Sequence, residues 1–405
     1  MMKSTPAVRG KVRIVHVINS FEFGGAEAML CNLLLHSDRD HFDSSVVSLI
    51  DDLTVADPVL DAGFPLATMG MNPRMPDPRV LARLARHLKR LQPHVVQTWM
   101  DHSNLIGGVA ARIGSSAKVA WGIHHSVHVA GQAKRTTLWT VAACARLSSR
   151  VPTTIVCCSE QSRQNYTRMG FDAGRMDVIP NGFDTERFCP DPVARLSLRR
   201  EIGVSPAALL VGLVARYCPQ KDHGNFLQAA ARVAPVFPDA RFVLCGDHVD
   251  EANAELVARV SSLGLSGRCH LLGPRRDVAR VQAALDVAAL SSVTEAFPLA
   301  LGEALSCGVP CVTTDVGDSA EIVGPNGRVV PVRDPRSLAH ALAELLGMGP
   351  DDRRRLGLAG RRRVRERYDL ASVTRRYEQT YLRLAGAAPG PGPEAPVAAA
   401  AAEAR

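Results

Sequence analysis

SSVTEAFPLALGEALSCGVPCVTTDVGD, Ser291 to Asp318, is the stretch that decides the fold. It follows an apolar run, Val287 to Leu290, that reads as a buried parallel strand. Thr294, Glu295 and Pro298 break that run. Leu299 to Leu305 carries helix formers, and Gly308 with Pro310 stops them. A second apolar run, Cys311 to Thr314, reads as the next strand. The unit is therefore strand, loop, helix, strand, with one carboxylate in the loop (Glu295) and one on the helix (Glu303). In a doubly wound sheet, ligands lie beyond the carboxyl ends of the strands, near helix N-termini. Backbone of the Phe297-Pro298-Leu299 turn at such a place suits a diphosphate, and a carboxylate one turn deeper suits a vicinal diol. As structural residues, Glu295 would be a favourable helix-start charge and Glu303 a solvated one. The apolar neighbours of Glu303 (Ala300, Leu301, Ala304, Leu305) argue instead for a specific partner.

Length and composition bound the rest. A chain of 405 residues, 46% hydrophobic and 22% charged, suggests two or three globular domains. The net charge of +8 suits small anionic ligands, an anionic membrane surface or nucleic acid. Aromatics are 5%, with no basic–aromatic interleaving, which argues against nucleic acid. Ten cysteines are scattered, mostly in apolar runs, without a C-x-x-C pair. They read as reduced buried thiols in a cytoplasmic protein, with no metal site expected. No signal peptide and no apolar run near ~20 residues is found, so no membrane span is expected.

The chain in order repeats the opening pattern. Residues 1–10 read as a loose leader. Val12 to Asn19 is strand-like and meets Gly24-Gly25-Ala26-Glu27 before an apolar helix. A glycine pair there lets a ligand approach the backbone, although a tight turn is the plain alternative. The G-x-G-x-x-G fingerprint is absent, which argues against a nicotinamide dehydrogenase. Val46 to Ile50 is a second strand. Residues 79–91 form an amphipathic helix with Leu81, Leu84, Leu88 and Leu91 on one face and five basic residues on the other. A solvated basic face is one reading; contact with anionic lipid head groups is the sharper one. Lys118 to Ile123 is a strand that delivers His124-His125-Ser126, with His102 and His128 elsewhere in the same half. Histidine at a strand end facing a cleft suits a sugar or a developing charge. Val178 to Asp184, VIPNGFD, holds a turn at Asn181-Gly182. Residues 185–207 read as a linker and an opening helix. Leu209 to Val214 is a strand, after which Arg216 and Lys221 stand where a fork and a point charge can converge on one anion.

The motif E-A-F-P-L-A-L-G-E-A, Glu295 to Ala304, resembles the E-x7-E signature of glycosyltransferase family 4. The match extends to A-L-S-C-G-V-P and to T-D-V-G at Thr314–Gly317. The G-G-A-E entry, V-I-P-N-G-F-D and R-x4-K (Arg216, Lys221) appear in the family's order. The resemblance covers nearly all of residues 11–384. It implies an α/β protein of the GT-B fold, with two Rossmann-like domains facing each other across a cleft. The expected division is an acceptor domain over 11–185 and a nucleotide-sugar domain over 206–368. A helix over 369–384 returns to the first domain, and a disordered Ala/Gly/Pro-rich tail spans 385–405. The implied activity is retaining transfer of a sugar from a nucleotide-diphosphate sugar, without a metal and without a further cofactor.

The same resemblance implies roles by position. Arg216 and Lys221 take the diphosphate, Glu303 the ribose and Glu295 the donor sugar. Gly24, Gly25, Phe297, Pro298 and Leu299 line the donor site, and Asn181 belongs to the cleft wall. A histidine touches the sugar, His125 being preferred over His124 because it directly precedes a small polar residue. The loop with Arg275 contacts base or phosphate. The acceptor is expected to be a saccharide or a lipid-linked saccharide, placing the protein in the cytoplasm or on the inner face of the membrane. Alternatives are a nucleotide-sugar 2-epimerase of the same architecture and a non-catalytic nucleotide-sugar-binding module. The eight arginines between Arg353 and Arg367 raise nucleic-acid binding, with a solvated helix face as the usual reading.

Overall fold

The computed structural model describes residues 10–22, 24–72, 77–125 and 135–387. All but the last residue of the expected leader, most of the expected tail, and the positions of Ser126 and His128 lie outside them.

Among the described residues, thirteen strands form two all-parallel sheets. The first contains β1 (Val12–Ile18), β2 (Phe42–Ser48), β3 (Leu66–Thr68), β4 (Val95–Trp99), β5 (Lys118–Ile123), β6 (Thr154–Cys157) and β7 (Met176–Val178). Their order is β3-β2-β1-β4-β5-β6-β7. The second contains β8 (Leu209–Val214), β9 (Ala240–Cys245), β10 (Cys269–Leu271), β11 (Val287–Leu290), β12 (Cys311–Thr314) and β13 (Gly327–Val330), ordered β10-β9-β8-β11-β12-β13. Helices cover both faces, so the strands are buried on both sides and read as continuous apolar runs rather than alternating ones. The order in which strands are added reverses once in each sheet, between β1 and β4 in the first lobe and between β8 and β11 in the second. At such a switch point the flanking loops part and leave a crevice at the carboxyl ends of the strands. The two-lobe α/β architecture expected from the sequence is the one observed.

Local chemistry sets the element ends. Asp77 caps the helix Pro78–Leu91 by accepting from the Arg79 amide, with Pro78 in the first turn. Asp222, at a φ of 44°, caps the helix His223–Val233 by accepting from the Asn225 amide at 3.1 Å. A left-handed conformation is unfavourable for a non-glycine residue, and Met100, at a φ of 76°, shares it. Both follow strands that border a switch point. The second strand runs from Phe42 rather than Val46, because Asp43, Ser44 and Ser45 complete their ladder bonds to β1 despite their polarity.

Residues 185–207 are more than a linker. Phe188, Leu198 and Val204 enter the core of the second lobe. Arg199, on the helix Pro192–Glu201, is fully buried and donates to Asp286 at 2.6 Å and to the carbonyls of Ala208 and Ala284 at 2.7 and 3.1 Å. Polar composition hid this because the burial depends on partners far along the chain. The arginine-rich helix Pro350–Tyr368 is also held internally. Arg353 donates to the carbonyl of Met348 at 3.0 Å, Arg361 to those of Phe188 and Thr185 at 2.9 and 3.0 Å, and Arg363 to Glu321.

The chain crosses between lobes twice, and the crossings are stitched together. Phe183 donates its amide to the Tyr368 carbonyl at 2.8 Å, and Leu370 donates to the Phe183 carbonyl at 3.1 Å. The helix Leu370–Ala385 then packs Val373, Tyr377, Tyr381 and Leu384 into the core of the first lobe beside Ile14, Ile18 and Met29.

Candidate functional site

The interlobe crevice is bordered by the loops after β1, β5, β8 and β11, which carry most of the expected site residues. The loops after β8 and β11 are tied to each other. Ser291 Oγ donates to the carbonyls of Lys221 and Asp222 at 2.8 and 3.1 Å, and the Val293 amide donates to the Gln220 carbonyl at 2.8 Å. This brings Lys221 Nζ onto Glu295 Oε1, which also accepts from Ser292 Oγ at 2.7 Å. The ammonium and the carboxylate are mostly buried, at 23% and 12% exposure, so their charges are weakly screened. R-x4-K and E-x7-E, 74 residues apart in the chain, are thus one cluster.

The helix Leu299–Ser306 starts at Pro298 and has no side-chain cap, so its first-turn amides are left without a side-chain acceptor at the N-cap. Glu303 lies on this helix. Burial pushes its carboxyl up to about 7, and the Arg187 charge pulls it back only in part. Phe297 does not present its ring to the crevice. The ring stacks on Phe183 at 5.8 Å and meets Tyr368 edge-on at 5.3 Å, leaving its backbone as the available group. Gly302 permits this packing, since a Cβ there would run into the Phe183 ring.

Facing this lobe, Gly25 stands where an added Cβ would lie 3.7 Å from Leu299 Cδ1, so the two lobes meet at the glycine pair. Glu27 folds its carboxylate back over Gly24, filling the space a Cβ would need. Burial pushes Glu27 up to about 7, with the Arg216 charge acting in the opposite sense. Glu27 was not singled out from the sequence. Its position in the first turn after two glycines is the signal that identifies it.

The two histidines separate. His125 is exposed, and its backbone carbonyl accepts from Ser162 Oγ at 2.8 Å. His124 is turned inward, its ring stacked on Trp99 at 4.8 Å. Burial pushes it down to about 3, so it is a neutral imidazole. Asn181 stands close enough to act against that shift, yet neither ring nitrogen of His124 has a hydrogen bond of good geometry. The Asn181 side-chain amide reaches the Phe297 carbonyl at 3.5 Å, across the lobe boundary.

Arg275 is used otherwise than expected. It donates to both oxygens of Asp277, at 2.7 and 2.8 Å, and to Glu201 at 2.7 Å. Two carboxylates saturate the fork and turn it into a brace between its loop and the helix Pro192–Glu201. Among the described residues, no group of three or more His, Cys, Asp or Glu side chains is gathered as for a metal ion.

Two family models match the chain, "Glycosyltransferase Family 4" over residues 23–187 and "Glycosyl transferases group 1" over 208–348, together most of its length. An Escherichia coli UDP-Gal:alpha-D-GlcNAc-diphosphoundecaprenol alpha-1,3-galactosyltransferase is 27% identical over 278 residues, 66% of this chain and 70% of that one. A D-inositol 3-phosphate glycosyltransferase of Mycobacterium sp. is 34% identical over 208 residues, 50% of this chain and 46% of the relative, so under half of that enzyme is spanned. Among solved structures, Anabaena Alr3699/HepE in complex with UDP-glucose superposes with a TM-score of 0.80 at 22% identity, covering 91% of this chain and 98% of that one. Matched by both models in order and carrying two Rossmann-like lobes, the chain belongs to the retaining GT-B glycosyltransferases of family 4 and group 1.

Proposed function

We propose that the protein moves a sugar from a nucleotide-diphosphate sugar, with UDP as the first candidate nucleotide, to a lipid-linked saccharide. The observation that carries this reading is the meeting of Lys221, Glu295 and the uncapped helix start at Leu299 opposite Gly24-Gly25. In this reading Arg216, Lys221 and the first-turn amides hold the diphosphate. They stabilise the charge that grows on the leaving phosphate as the glycosidic bond breaks, the work a divalent metal does elsewhere. The Lys221–Glu295 pair sets the ammonium at the point where phosphate and sugar join, and Glu295 accepts from sugar hydroxyls. Glu303, as a carboxylate, accepts two hydrogen bonds from the ribose diol. The sugar contact falls to the His124-His125 loop, where His125 is the exposed ring. Retention follows if the incoming hydroxyl attacks the face the phosphate leaves, with a phosphate oxygen taking its proton.

The acceptor reading draws on the E. coli relative, whose name states a diphosphoundecaprenol acceptor. It also draws on exposed side chains of the first lobe. Arg86, Lys89 and Arg90 are exposed on the helix Pro78–Leu91. Ile113 and Trp139, on the next two helices, are 67% and 74% exposed. Basic and aromatic side chains together suit an anionic membrane surface where a lipid-linked acceptor resides. Among the described residues no helix is long and apolar enough to cross a membrane.

The deciding experiment incubates the protein with a panel of UDP-, GDP- and ADP-sugars and extracted lipid acceptors. It measures released nucleotide and radiolabel in the lipid phase, beside Glu303→Ala. Release from one donor with label in the lipid phase, lowered about a hundredfold or more by the substitution, is the expected result. Epimerised nucleotide sugar appearing without acceptor would replace this reading with the epimerase one.

A further inference from the structure

Asp318 ends the T-D-V-G-D turn after β12 and has no place in the donor-binding set described above. Its backbone amide donates to the Ala296 carbonyl at 3.1 Å, inside the loop that carries Glu295. Gly317 makes that approach possible: its φ is 54°, and a Cβ there would overlap the carbonyls of Glu295 and Ala296. The Asp318 side chain leaves the second lobe. Its two carboxylate oxygens accept from the backbone amides of Glu160 at 2.9 Å and Gln161 at 3.1 Å. These are the first two amides of the helix Glu160–Arg168 in the first lobe, whose own cap, Ser159, accepts from the Ser162 amide at 3.0 Å. An Asp carboxylate on exposed helix-start amides is among the stronger neutral-to-ion hydrogen-bond arrangements, and the helix dipole favours it. The negative charge of Glu160 next to it is offset by a paired Arg163, which donates to both Glu160 oxygens at 3.0 and 3.1 Å. The next link runs back to the crevice: Ser162 Oγ holds the His125 carbonyl at 2.8 Å.

We propose that Asp318 is a positioning residue that clasps the two lobes shut and registers the Glu295 loop against the His124-His125 loop across the crevice. The chain of contacts is continuous, from the Ala296 carbonyl through Asp318 and the start of the helix Glu160–Arg168 to Ser162 and the His125 carbonyl. Either loop alone can sit correctly within its own lobe. The clasp links one directly to the other, beside the weaker Asn181 contact with the Phe297 carbonyl at 3.5 Å. The partner it recognises is the start of a helix of the same chain. A nucleotide sugar would then bind to the second lobe with the clasp open and react with it closed. The catalytic half of this inference rests on the glycosyl-transfer reading; the clasp itself does not.

The test uses the full-length protein with Asp318→Ala and Asp318→Asn, UDP as the binding probe, and three readouts. The first is backbone hydrogen exchange in a peptide spanning residues 159–165. Loss of the cap is expected to speed exchange of the first-turn amides about fivefold or more in Asp318→Ala, with Asn restoring part of the protection. The second is UDP affinity, expected to stay within about twofold, because its contacts lie in the second lobe. The third is turnover with whichever donor is active: kcat is expected to fall roughly tenfold in Asp318→Ala with KM for donor little changed, and to recover substantially in Asp318→Asn. Unchanged exchange at 160–162 would show that the clasp is absent in solution and overturn the proposal. Faster exchange with unchanged kcat would overturn its catalytic half. If no donor turns over in the unsubstituted protein, the glycosyl-transfer reading fails, while the exchange measurement still decides the clasp.

Discussion

Burial lifts the Glu303 carboxyl to about 7 from an ordinary 4.5, because the helix start around it is apolar and the Arg187 charge is an incomplete counterweight. Between pH 4.5 and 7 the folded protein therefore holds more protons at this site than the unfolded chain does. Stability from this group is complete below the unfolded value and is lost as pH rises through about 7. Glu303→Gln, which keeps the shape and removes the ionisation, is expected to raise the melting temperature by a few degrees at pH 8 and hardly at all at pH 4.5. Thermal denaturation of both proteins at the two pH values checks this. A gain at pH 4.5 as large as that at pH 8 would contradict it. The same substitution is expected to weaken donor binding, since an amide offers a diol one acceptor oxygen where a carboxylate offers two.

At the scale of elements, the helix Pro192–Glu201 shows how ion pairing fastens a segment whose composition reads as linker. Asp286 accepts from Arg195 at 2.7 Å and from the fully buried Arg199 at 2.6 Å, and it also takes the Leu210 amide at 2.7 Å. Removing the carboxylate leaves a buried guanidinium with carbonyl partners alone. Asp286→Ala is expected to destabilise the second lobe by about 3–5 kcal/mol. Replacing Arg199 and Asp286 together with apolar residues of similar volume is expected to cost far less. Urea unfolding midpoints of the three proteins distinguish these outcomes, and equal losses in the single and double variants would refute the account. The reading of VIPNGFD as a cleft wall gains its physical content at this scale too. Its Phe183 is hydrogen-bonded to the chain at Tyr368 and Leu370 and stacks on Phe297, so turn, hinge and donor loop share one aromatic cluster.

For the whole molecule, the two lobes differ in what they offer outside the crevice. The first lobe exposes basic side chains on one helix and Ile113 and Trp139 on the next two, whereas arginines of the second lobe such as Arg199, Arg353 and Arg361 are spent on internal carbonyls and carboxylates. Binding to anionic vesicles, if membrane is the site of action, should therefore depend on the first lobe. Charge reversal at Arg86 and Lys89 together is expected to weaken co-sedimentation with phosphatidylserine-containing vesicles by roughly tenfold or more. The effect should shrink with added salt. Neutral vesicles serve as the control, and equal binding to both kinds would remove the membrane from the proposal.

The strands, the two lobes and the R-x4-K and E-x7-E motifs were legible in the sequence, because each is written locally. Apolar runs such as Val287–Leu290 are buried on both faces whatever the rest of the chain does, and Pro298, Gly308 and Pro310 punctuate the helix through their own backbone limits. What no local pattern contains is which groups meet after folding. Two adjacent histidines on one strand end look alike until the sheet places Trp99 beneath His124 and leaves His125 outside. Arg275 looks free to meet a ligand until Glu201, 74 residues earlier, takes its second edge. Asp318 reads as a turn residue until its carboxylate reaches amides 158 residues away in the other lobe. Pairings of this kind depend on the relative placement of whole elements, which is set by the summed packing of both cores and not by any one stretch of residues.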